Sequence, residues 1–354
     1  MRLCRPALLA LLLAGAVLLA PAQQTTPPAS APVPAPSLTV DRDPVRSPDG
    51  EPPAPPVLRK EGEGYVLHTD VEEVALNCTV LDDHNRLVPG LKKEEFQVLE
   101  DGVRQTLISF QHTDLPVSIA LVVDNSGSMS RKRPSVNKSA LDLIEASNPQ
   151  DEAFVVNFSD EAFIDQEFTA DVNKLRDGLS HIESRGGTAL YDAVVASADK
   201  LVADAKRPKQ VIILITDGED NASSLNLEQT IRRVQQLSGP VIYSIGLLFG
   251  DEMSHAEVRH ARRALEMLST ETGGMAFFPK SIENIDQIAA EVARDIRNQY
   301  TLGYHSTKPI AEPGFRRVQV NAEAKGMSKL TVRTRTGYFP VMPGSKKTAV
   351  AAAK

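Results

Sequence analysis

The chain has 354 residues, of which 42% are hydrophobic and 24% charged, and its formal net charge is −7. This length allows two or three domains with a sizeable core. The acidic balance and the shortness of the Lys/Arg clusters argue against a nucleic-acid role, because phosphate repulsion would not be offset.

The first 22 residues have the pattern of a secretory signal peptide. Arg2 and Arg5 precede an apolar run over 7–20, and Ala20-Pro21-Ala22 offers a cleavage site. An uncleaved anchor is the alternative, although the run is short for a membrane span. No second apolar stretch near the ~20 residues that a membrane helix needs follows in the sequence. We therefore expect an exported protein, periplasmic or extracellular, whose mature chain has no transmembrane segment.

Cleavage would leave Cys78 as the single cysteine of the mature chain, which excludes an internal disulfide. Cys78 alternates with Leu76 and Val80 in a strand-like segment. We expect a buried structural thiol, and the alternative is an intermolecular disulfide.

Two segments of different composition precede the middle of the chain. Residues 23–60 are rich in Pro, Ala, Ser and Thr, which predicts a disordered, extended tether. Residues 61–114 form an N-terminal β segment of roughly four short strands, among them 74–81, 96–99 and 107–110. Asp101-Gly102 accepts positive φ and predicts a hairpin that joins the last two strands.

Between residues 115 and 298, apolar strands alternate with amphipathic helices. This alternation is typical of an α/β fold, a doubly wound and mostly parallel sheet with helices on both faces. Predicted strands lie at 117–123, 153–158, 162–168 (an edge strand), 210–216, 241–246 and 275–278. Predicted helices lie at 134–147, at 171–182, from Ala189 onward, and at 225–237, 254–271 and 282–298.

After residue 298 the pattern returns to strands, at 300–304, 315–320 and 330–334. Together with the strands of 61–114, this C-terminal β segment (299–342) would form a small Ig-like sandwich into which the α/β domain is inserted. The alternative is two independent β modules. Residues 343–354 are a predicted disordered tail.

Oxygen side chains follow the predicted strands of the α/β domain. Asp124-Asn125-Ser126-Gly127-Ser128 follows strand 117–123, Thr188 follows Gly186-Gly187, and Asp217 follows strand 210–216. Ligands of open α/β sheets bind beyond the carboxyl ends of the strands. Carboxylates and hydroxyls without nearby Cys or His predict a site for a hard divalent cation, Mg²⁺ or Mn²⁺. These five side chains, Asp124, Ser126, Ser128, Thr188 and Asp217, would leave a coordination position for water or a partner's carboxylate.

At these residues the chain resembles the von Willebrand factor type A (VWFA) domain, over about 115–298. Looser features on either side are similar to those of bacterial secreted proteins called VWFA-related. The resemblance implies that Ser126 and Ser128 bind the metal through their hydroxyls, and that Asp124 and Asp217 act mainly through metal-bound water. It implies that Thr188 binds directly in the ligand-competent state, and that ligation moves the final helix of the domain.

The function implied by the resemblance is a non-enzymatic adhesion or interaction module whose metal binds an Asp or Glu of a protein partner. One alternative is an accessory scaffold subunit of an envelope complex. The other is a metal-assisted hydrolase, for which the sequence shows no evident general base near the ion. Ser126 is not in a G-x-S-x-G motif, and His255 and His260 lack H-E-x-x-H spacing.

Two further sets of polar residues lie near the predicted site. Asp192 falls in the first turn of a helix, where we expect it to complement the helix dipole. Glu219, Asp220 and Asn221 follow Asp217 and either shape partner choice or form a solvated loop.

Overall fold

The computed structural model describes residues 73–145, 148–180, 184–237, 239–249, 253–327 and 329–340. Before residue 73 it describes two short antiparallel pairings, β1 (Ser37–Leu38) with β2 (Val45–Arg46) and β3 (Lys60–Glu61) with β4 (Gly64–Tyr65). The predicted signal peptide and tail, and most of the predicted tether, lie outside the described residues.

The N-terminal β segment contributes four strands before the α/β domain begins. They are β5 (Glu73–Leu81), β6 (Phe96–Glu100), β7 (Val103–Gln105) and β8 (Leu107–Gln111).

The α/β domain is built around a six-stranded sheet. Its strands are β9 (Val117–Asp124), β10 (Glu152–Phe158), β11 (Ala162–Thr169), β12 (Lys209–Thr216), β13 (Val241–Gly246) and β14 (Ala276–Phe277). Its helices are α1 (Arg133–Glu145), α2 (Val172–Ser180), α3 (Leu190–Asp204), α4 (Leu227–Leu237), α5 (His255–Thr272) and α6 (Ile285–Arg297). The spatial order is β11-β10-β9-β12-β13-β14, and all pairings are parallel except that of the edge strand β11.

Buried residues of the central strands alternate between the two faces of this sheet. In β9, Ile119 and Leu121 join the core under α1, α2 and α6, whereas Ala120 and Val122 join the core under α3, α4 and α5. A strand that is covered on both faces needs apolar residues at successive positions, which explains its continuous hydrophobic run. The predicted mixed α/β fold with a mostly parallel sheet is therefore confirmed.

The C-terminal β segment supplies four more strands: β15 (Tyr300–His305), β16 (Arg316–Ala322), β17 (Thr331–Arg333) and β18 (Gly337–Tyr338). They combine with β5–β8 into two antiparallel sheets, ordered β17-β5-β15-β8 and β18-β16-β6-β7. Each sheet contains two strands from each flank of the α/β domain, and in the sheet β17-β5-β15-β8 they alternate. The prediction that both flanks build one β-sandwich-like unit is confirmed.

One apolar core joins the two flanking sheets. It includes Leu76 of β5, Phe96 of β6, Tyr300 of β15 and Val318 of β16. At one end of this core the buried carboxylate of Glu100 accepts hydrogen bonds from the hydroxyls of three residues of the C-terminal segment. These residues are Tyr304, Ser306 and Tyr338. Contacts across more than 200 positions of sequence therefore hold the flanks together.

The hairpin at Asp101-Gly102 differs from the prediction. Both turn residues have positive φ, 47° at Asp101 and 81° at Gly102, and they place Glu100 opposite Val103. A two-residue turn of this kind starts the returning strand at once. The partner of β6 is therefore β7, and β8 instead crosses to the other sheet, where it pairs with β15. The predicted pairing of 96–99 with 107–110 was wrong.

Cys78 is a free and fully buried thiol of the sandwich core, which confirms the structural interpretation. Burial raises the pKa of Cys78 to about 12, because an apolar surrounding disfavours the thiolate. Of the helices that the structure describes, none combines the length and the apolar content that a bilayer crossing requires.

Candidate functional site

The structure brings the first predicted site residues together at the carboxyl end of β9. Asp124 is the last residue of β9, and its Oδ1 accepts a hydrogen bond of 2.8 Å from the backbone N–H of Ser126. A 3₁₀ turn over Gly127–Arg131 follows directly. The side-chain oxygens of Ser126 and Ser128 lie 3.2 Å apart.

Asp217 reaches the same point from the end of β12, the strand beside β9 in the sheet. Its Oδ1 accepts a 2.7 Å hydrogen bond from the hydroxyl of Ser128. Thr216, the last residue of β12, donates its hydroxyl to Asp124 Oδ2 at 2.5 Å. Two neighbouring parallel strands thus place both carboxylates at one edge of the sheet, as the sequence predicted.

Thr188 is held beside these groups by a glycine loop. Gly186 has a φ of +80°, and a Cβ added at Gly187 would lie 2.6 Å from Asn221 Oδ1 and 2.9 Å from Asp160 Oδ1. The N–H of Gly187 donates to Asp160, and that of Thr188 donates to Asn221. A side chain at position 187 would therefore displace one of these two anchoring groups, whereas glycine leaves both in place.

Thr188, Ser128 and Asp217 line one cleft of about 270 Å³. Its wall also includes Leu247, Phe249 and Val258, and Glu219 and Glu257 contribute carboxylates. The cleft therefore combines a cluster of oxygen ligands with an adjacent apolar surface.

The donor set has the chemistry of a hard-cation site. Asp124, Ser126, Thr188 and Asp217 are buried, and Ser128 is exposed at the mouth. Burial raises the pKa of Asp124 to about 6, against the opposing effect of its hydrogen bonds with Ser126 and Thr216. A divalent cation would favour the ionised carboxylate and would use hydroxyl and carboxylate oxygens, which are the ligands preferred by Mg²⁺. These five residues fit such an ion.

Lys132 is a member of this site that the sequence analysis missed. Its Nζ donates to Asp217 Oδ2 at 2.6 Å, and its side chain is 11% exposed. The residue follows the 3₁₀ turn, so its position depends on how that turn folds. A lysine four positions beyond the D-x-S-x-S motif carries no recognisable signal in the sequence.

Several polar neighbours of the site anchor loops. Asp192 accepts hydrogen bonds from the N–H groups of Ser224 and Leu225, so the expectation that it complements the helix dipole was incomplete. Asp220 accepts from the N–H of Tyr191 and the hydroxyl of Ser223. With Asn221 bound to Thr188, the segment after Asp217 is a built scaffold for the glycine loop and is not a freely solvated loop.

A second group of potential ligands lies on the exposed turn after β5, at Asp82, Asp83 and His84. Asp82 accepts hydrogen bonds from the N–H groups of His84 and Arg86 and from the Arg86 side chain. Through these hydrogen bonds Asp82 stabilises the turn.

Comparison with known proteins identifies the class. Residues 119–219 match the family described as "von Willebrand factor type A domain". The chain therefore contains a von Willebrand factor type A domain. The matched segment includes all five predicted metal-site residues.

Two curated relatives are inter-alpha-trypsin inhibitor heavy chains H4. The protein from Homo sapiens is 27% identical over 241 residues, which cover 62% of this chain and 25% of that protein. The one from Bos taurus is 26% identical over 178 residues, 46% of this chain and 18% of that protein. The chain thus spans about a quarter or less of the length of these relatives. A solved structure titled "von Willebrand factor type A from Catenulispora acidiphila" aligns with a TM-score of 0.44 and 13% identity, covering 76% and 75% of the two chains.

Proposed function

We propose that this protein is an exported, non-enzymatic adhesion or interaction module that binds an acidic side chain of a protein partner through a divalent metal. Asp124, Ser126, Ser128, Thr188 and Asp217 would hold the Mg²⁺ or Mn²⁺ ion. The observation that carries the proposal is the convergence of these oxygen side chains within a type A domain, where Ser128, Thr188 and Asp217 line one cleft. When bound, the metal would supply the positive charge that a partner's carboxylate requires.

The cleft beside the ligands supports a protein partner. Phe249 and Val258 give it an apolar wall next to Ser128 and Thr188. Removing apolar surface from water is favourable by about 25 cal/mol per Å² before the costs of association, whereas the metal contact gives direction. We therefore expect the partner to present an Asp or Glu beside a bulky apolar residue.

Two carboxylates of the cleft lining that a hydrolase could use as bases, Glu257 and Glu219, have polar neighbours. Glu257 forms a capping box with Ser254 at the start of α5, and these contacts lower the pKa of Glu257. Glu219 Oε1 lies 3.5 Å from His260 Nδ1. A poised general base has a pKa near the working pH, so the lowered pKa argues against Glu257 as the base of a hydrolase.

The first test is metal binding by the purified protein. An ion that binds only the folded state raises the free energy of unfolding by about 2.7 kcal/mol at 100 times its dissociation constant. We expect Mg²⁺ to raise the melting temperature, and Ser128→Ala to remove most of this gain. Ser130→Ala is the matched control, because Ser130 is an exposed serine of the same turn outside the motif. Calorimetry that shows equal Mg²⁺ binding by Ser128→Ala, Asp124→Ala and the native protein would refute the site.

The second test addresses the partner. A protein captured from an envelope extract should be lost in EDTA and with Thr188→Ala. It should also be lost when one partner Asp or Glu is replaced by Asn or Gln. Undiminished capture in EDTA would place the interaction surface elsewhere on the molecule.

A further inference from the structure

Lys132 places a second positive charge in the cleft of the candidate metal site. Its Nζ lies 2.6 Å from Asp217 Oδ2 and 5.6 Å from the centroid of the Phe249 ring. Lys132 lines the cleft together with Ser128 and Thr188. The Lys132 side chain is thus part of the wall of the cleft that a ligand would enter.

The neighbouring Arg133 does not share this role. Its guanidinium is buried and donates to Asn157 Oδ1 at 2.7 Å and to the carbonyl of Leu179 at 3.3 Å. These partners belong to β10 and α2, away from the cleft lining. Among the described residues that line this cleft, Lys132 is therefore the one with a basic side chain.

The charges of the site define what it can accept. Asp124 and Asp217 contribute two negative charges when ionised, and a divalent cation would balance them. Among the groups that would contact the ion, Lys132 then leaves an excess of one positive charge. The other carboxylates of the lining have partners of their own: Glu219 lies near His260, Asp220 accepts from Tyr191 and Ser223, and Glu257 caps α5. Burying net charge is costly, so the complete complex is most favourable when the ligand carries one negative charge. A carboxylate meets this condition, whereas a neutral amide does not.

The same lysine must also weaken the binding of the metal by itself. Its ammonium pairs with Asp217, a proposed metal ligand, and two cations within a few ångströms repel each other. A carboxylate that enters the cleft would offset this repulsion. Metal and carboxylate should consequently bind more tightly together than separately, which is a positive coupling.

We propose that Lys132 contacts the partner's carboxylate alongside the metal, and that without the carboxylate it lowers the affinity of the site for the metal. This inference rests on the proposed function, since it assigns a specificity-determining residue to the same site. It predicts that loss of the lysine changes the two affinities in opposite directions. A lysine that merely supported the turn would change them in the same direction.

The test compares the native full chain with Lys132→Met and Lys132→Arg. Mg²⁺ affinity is measured by calorimetry, and acetate binding to the Mn²⁺-loaded protein is measured by water-proton relaxation, with acetamide as the uncharged probe. Lys138→Met is the matched control, because it removes the same charge from an exposed lysine of α1. Circular dichroism melting verifies that each variant is folded.

For Lys132→Met we expect tighter Mg²⁺ binding and about tenfold weaker acetate binding, the size expected for loss of one charge-assisted hydrogen bond. The acetate affinity of Lys132→Arg and Lys138→Met should stay within about threefold of that of the native protein. The first variant keeps a cation at position 132, and the second leaves Lys132 itself in place. Native-like acetate affinity in Lys132→Met overturns the inference, and so does a parallel loss of Mg²⁺ and acetate affinity. If the native protein itself binds no Mn²⁺, the proposed function fails, and this result is distinct because it needs no variant.

Discussion

At the scale of single residues, Lys209 is a buried cation at the start of the central strand β12. It is 2% exposed, and its Nζ donates to the carbonyl of Ile296 in α6 at 3.1 Å. Burial, followed by the charge of Arg297, lowers the pKa of Lys209 to about 8, although Asp114, Asp295 and Asp151 oppose the shift. The protonated amine of Lys209 is therefore less favourable in the folded protein than in the unfolded chain.

We predict that Lys209→Met stabilises the protein at pH 7. In the unfolded chain the lysine keeps its usual pKa of about 10.4, so between pH 8 and that value the unfolded state binds more protons. The cost of charging Lys209 is thus fully present below pH 8 and disappears as pH rises toward 10. We expect the free energy of unfolding to rise by about 1–3 kcal/mol at pH 7. This range already subtracts the loss of the hydrogen bond to Ile296.

Denaturant unfolding at pH 7 and pH 9.5 measures this effect. The gain should shrink at the higher pH, and Lys174→Met, an exposed lysine of α2, controls for general effects of charge removal. An equal gain at both pH values would mean that the pKa of Lys209 is not lowered.

The five candidate ligands could be predicted because their side-chain chemistry and their position after strands are both visible in the sequence. Asp160 and Lys132 could not, and neither could the role of Asn221 as the partner of Thr188, since each contact joins segments distant along the chain. Short motifs report local order, whereas the partners that hold a loop in place depend on tertiary packing.

At the scale of elements, the sandwich depends on strands from both flanks. β15 lies between β5 and β8, so both N-terminal strands lose a neighbour if the C-terminal segment is absent. Unpaired strand edges promote association with other chains. Neither flank contains a complete sheet of its own.

We predict that residues 61–112 alone aggregate, whereas the same residues joined to 299–342 by a short flexible linker give a soluble β protein. The joined chain recovers the pairing of β5 with β15 and the contacts of Glu100 with Tyr304 and Tyr338. Sedimentation and far-UV circular dichroism distinguish the outcomes, and the isolated segment 115–298 should fold and bind Mg²⁺. A well-folded, monomeric 61–112 fragment would contradict the shared sandwich.

The type and order of the elements in the α/β domain could be predicted because period and burial agree in each segment. The helix and strand ends agree with the prediction to within about three residues, the usual uncertainty of such boundaries. In the flanking sheets, the prediction did not locate the short strands β7 and β18, because two or three residues carry no measurable period. Their pairing is decided by the turn at Asp101-Gly102 and by contacts with β16.

At the scale of the whole molecule, the candidate metal site and the sandwich lie at opposite ends of the central strands. The site is at the carboxyl ends of β9 and β12, whereas α6 returns to their amino ends and continues into β15 after two residues. Near its start, Asp286 of α6 accepts a hydrogen bond from Ser139 of α1. Near its end, Asp295 binds Tyr243 of β13 and forms an ion pair with Arg333 of β17.

This arrangement connects the metal loop to the sandwich through α1 and α6. The loop over Gly127–Arg131 is followed almost at once by α1, and α1 contacts α6 through Ser139 and Asp286. A displacement of α6 would act directly on β15 and on the Asp295–Arg333 ion pair. A flexible linker would absorb such a movement, but only Asn298 and Gln299 separate α6 from β15, and Gln299 is hydrogen-bonded to Tyr243.

We predict that metal and carboxylate binding together change hydrogen exchange in the sandwich as well as at the site. With Mn²⁺ and acetate, compared with EDTA, amide exchange should change over 300–305 and 331–333, and Thr188→Ala should abolish the change.

Arg333→Met should reduce the effect in β17 while leaving that in α6, because it removes the ion pair with Asp295. Arg317→Met, an exposed arginine of β16, is the matched control. A coupling free energy of about 1–3 kcal/mol between the metal site and the sandwich corresponds to a roughly 5–150-fold change in the affinity for acetate. Exchange differences confined to 124–131 and 186–188 would show that the sandwich does not respond to the site.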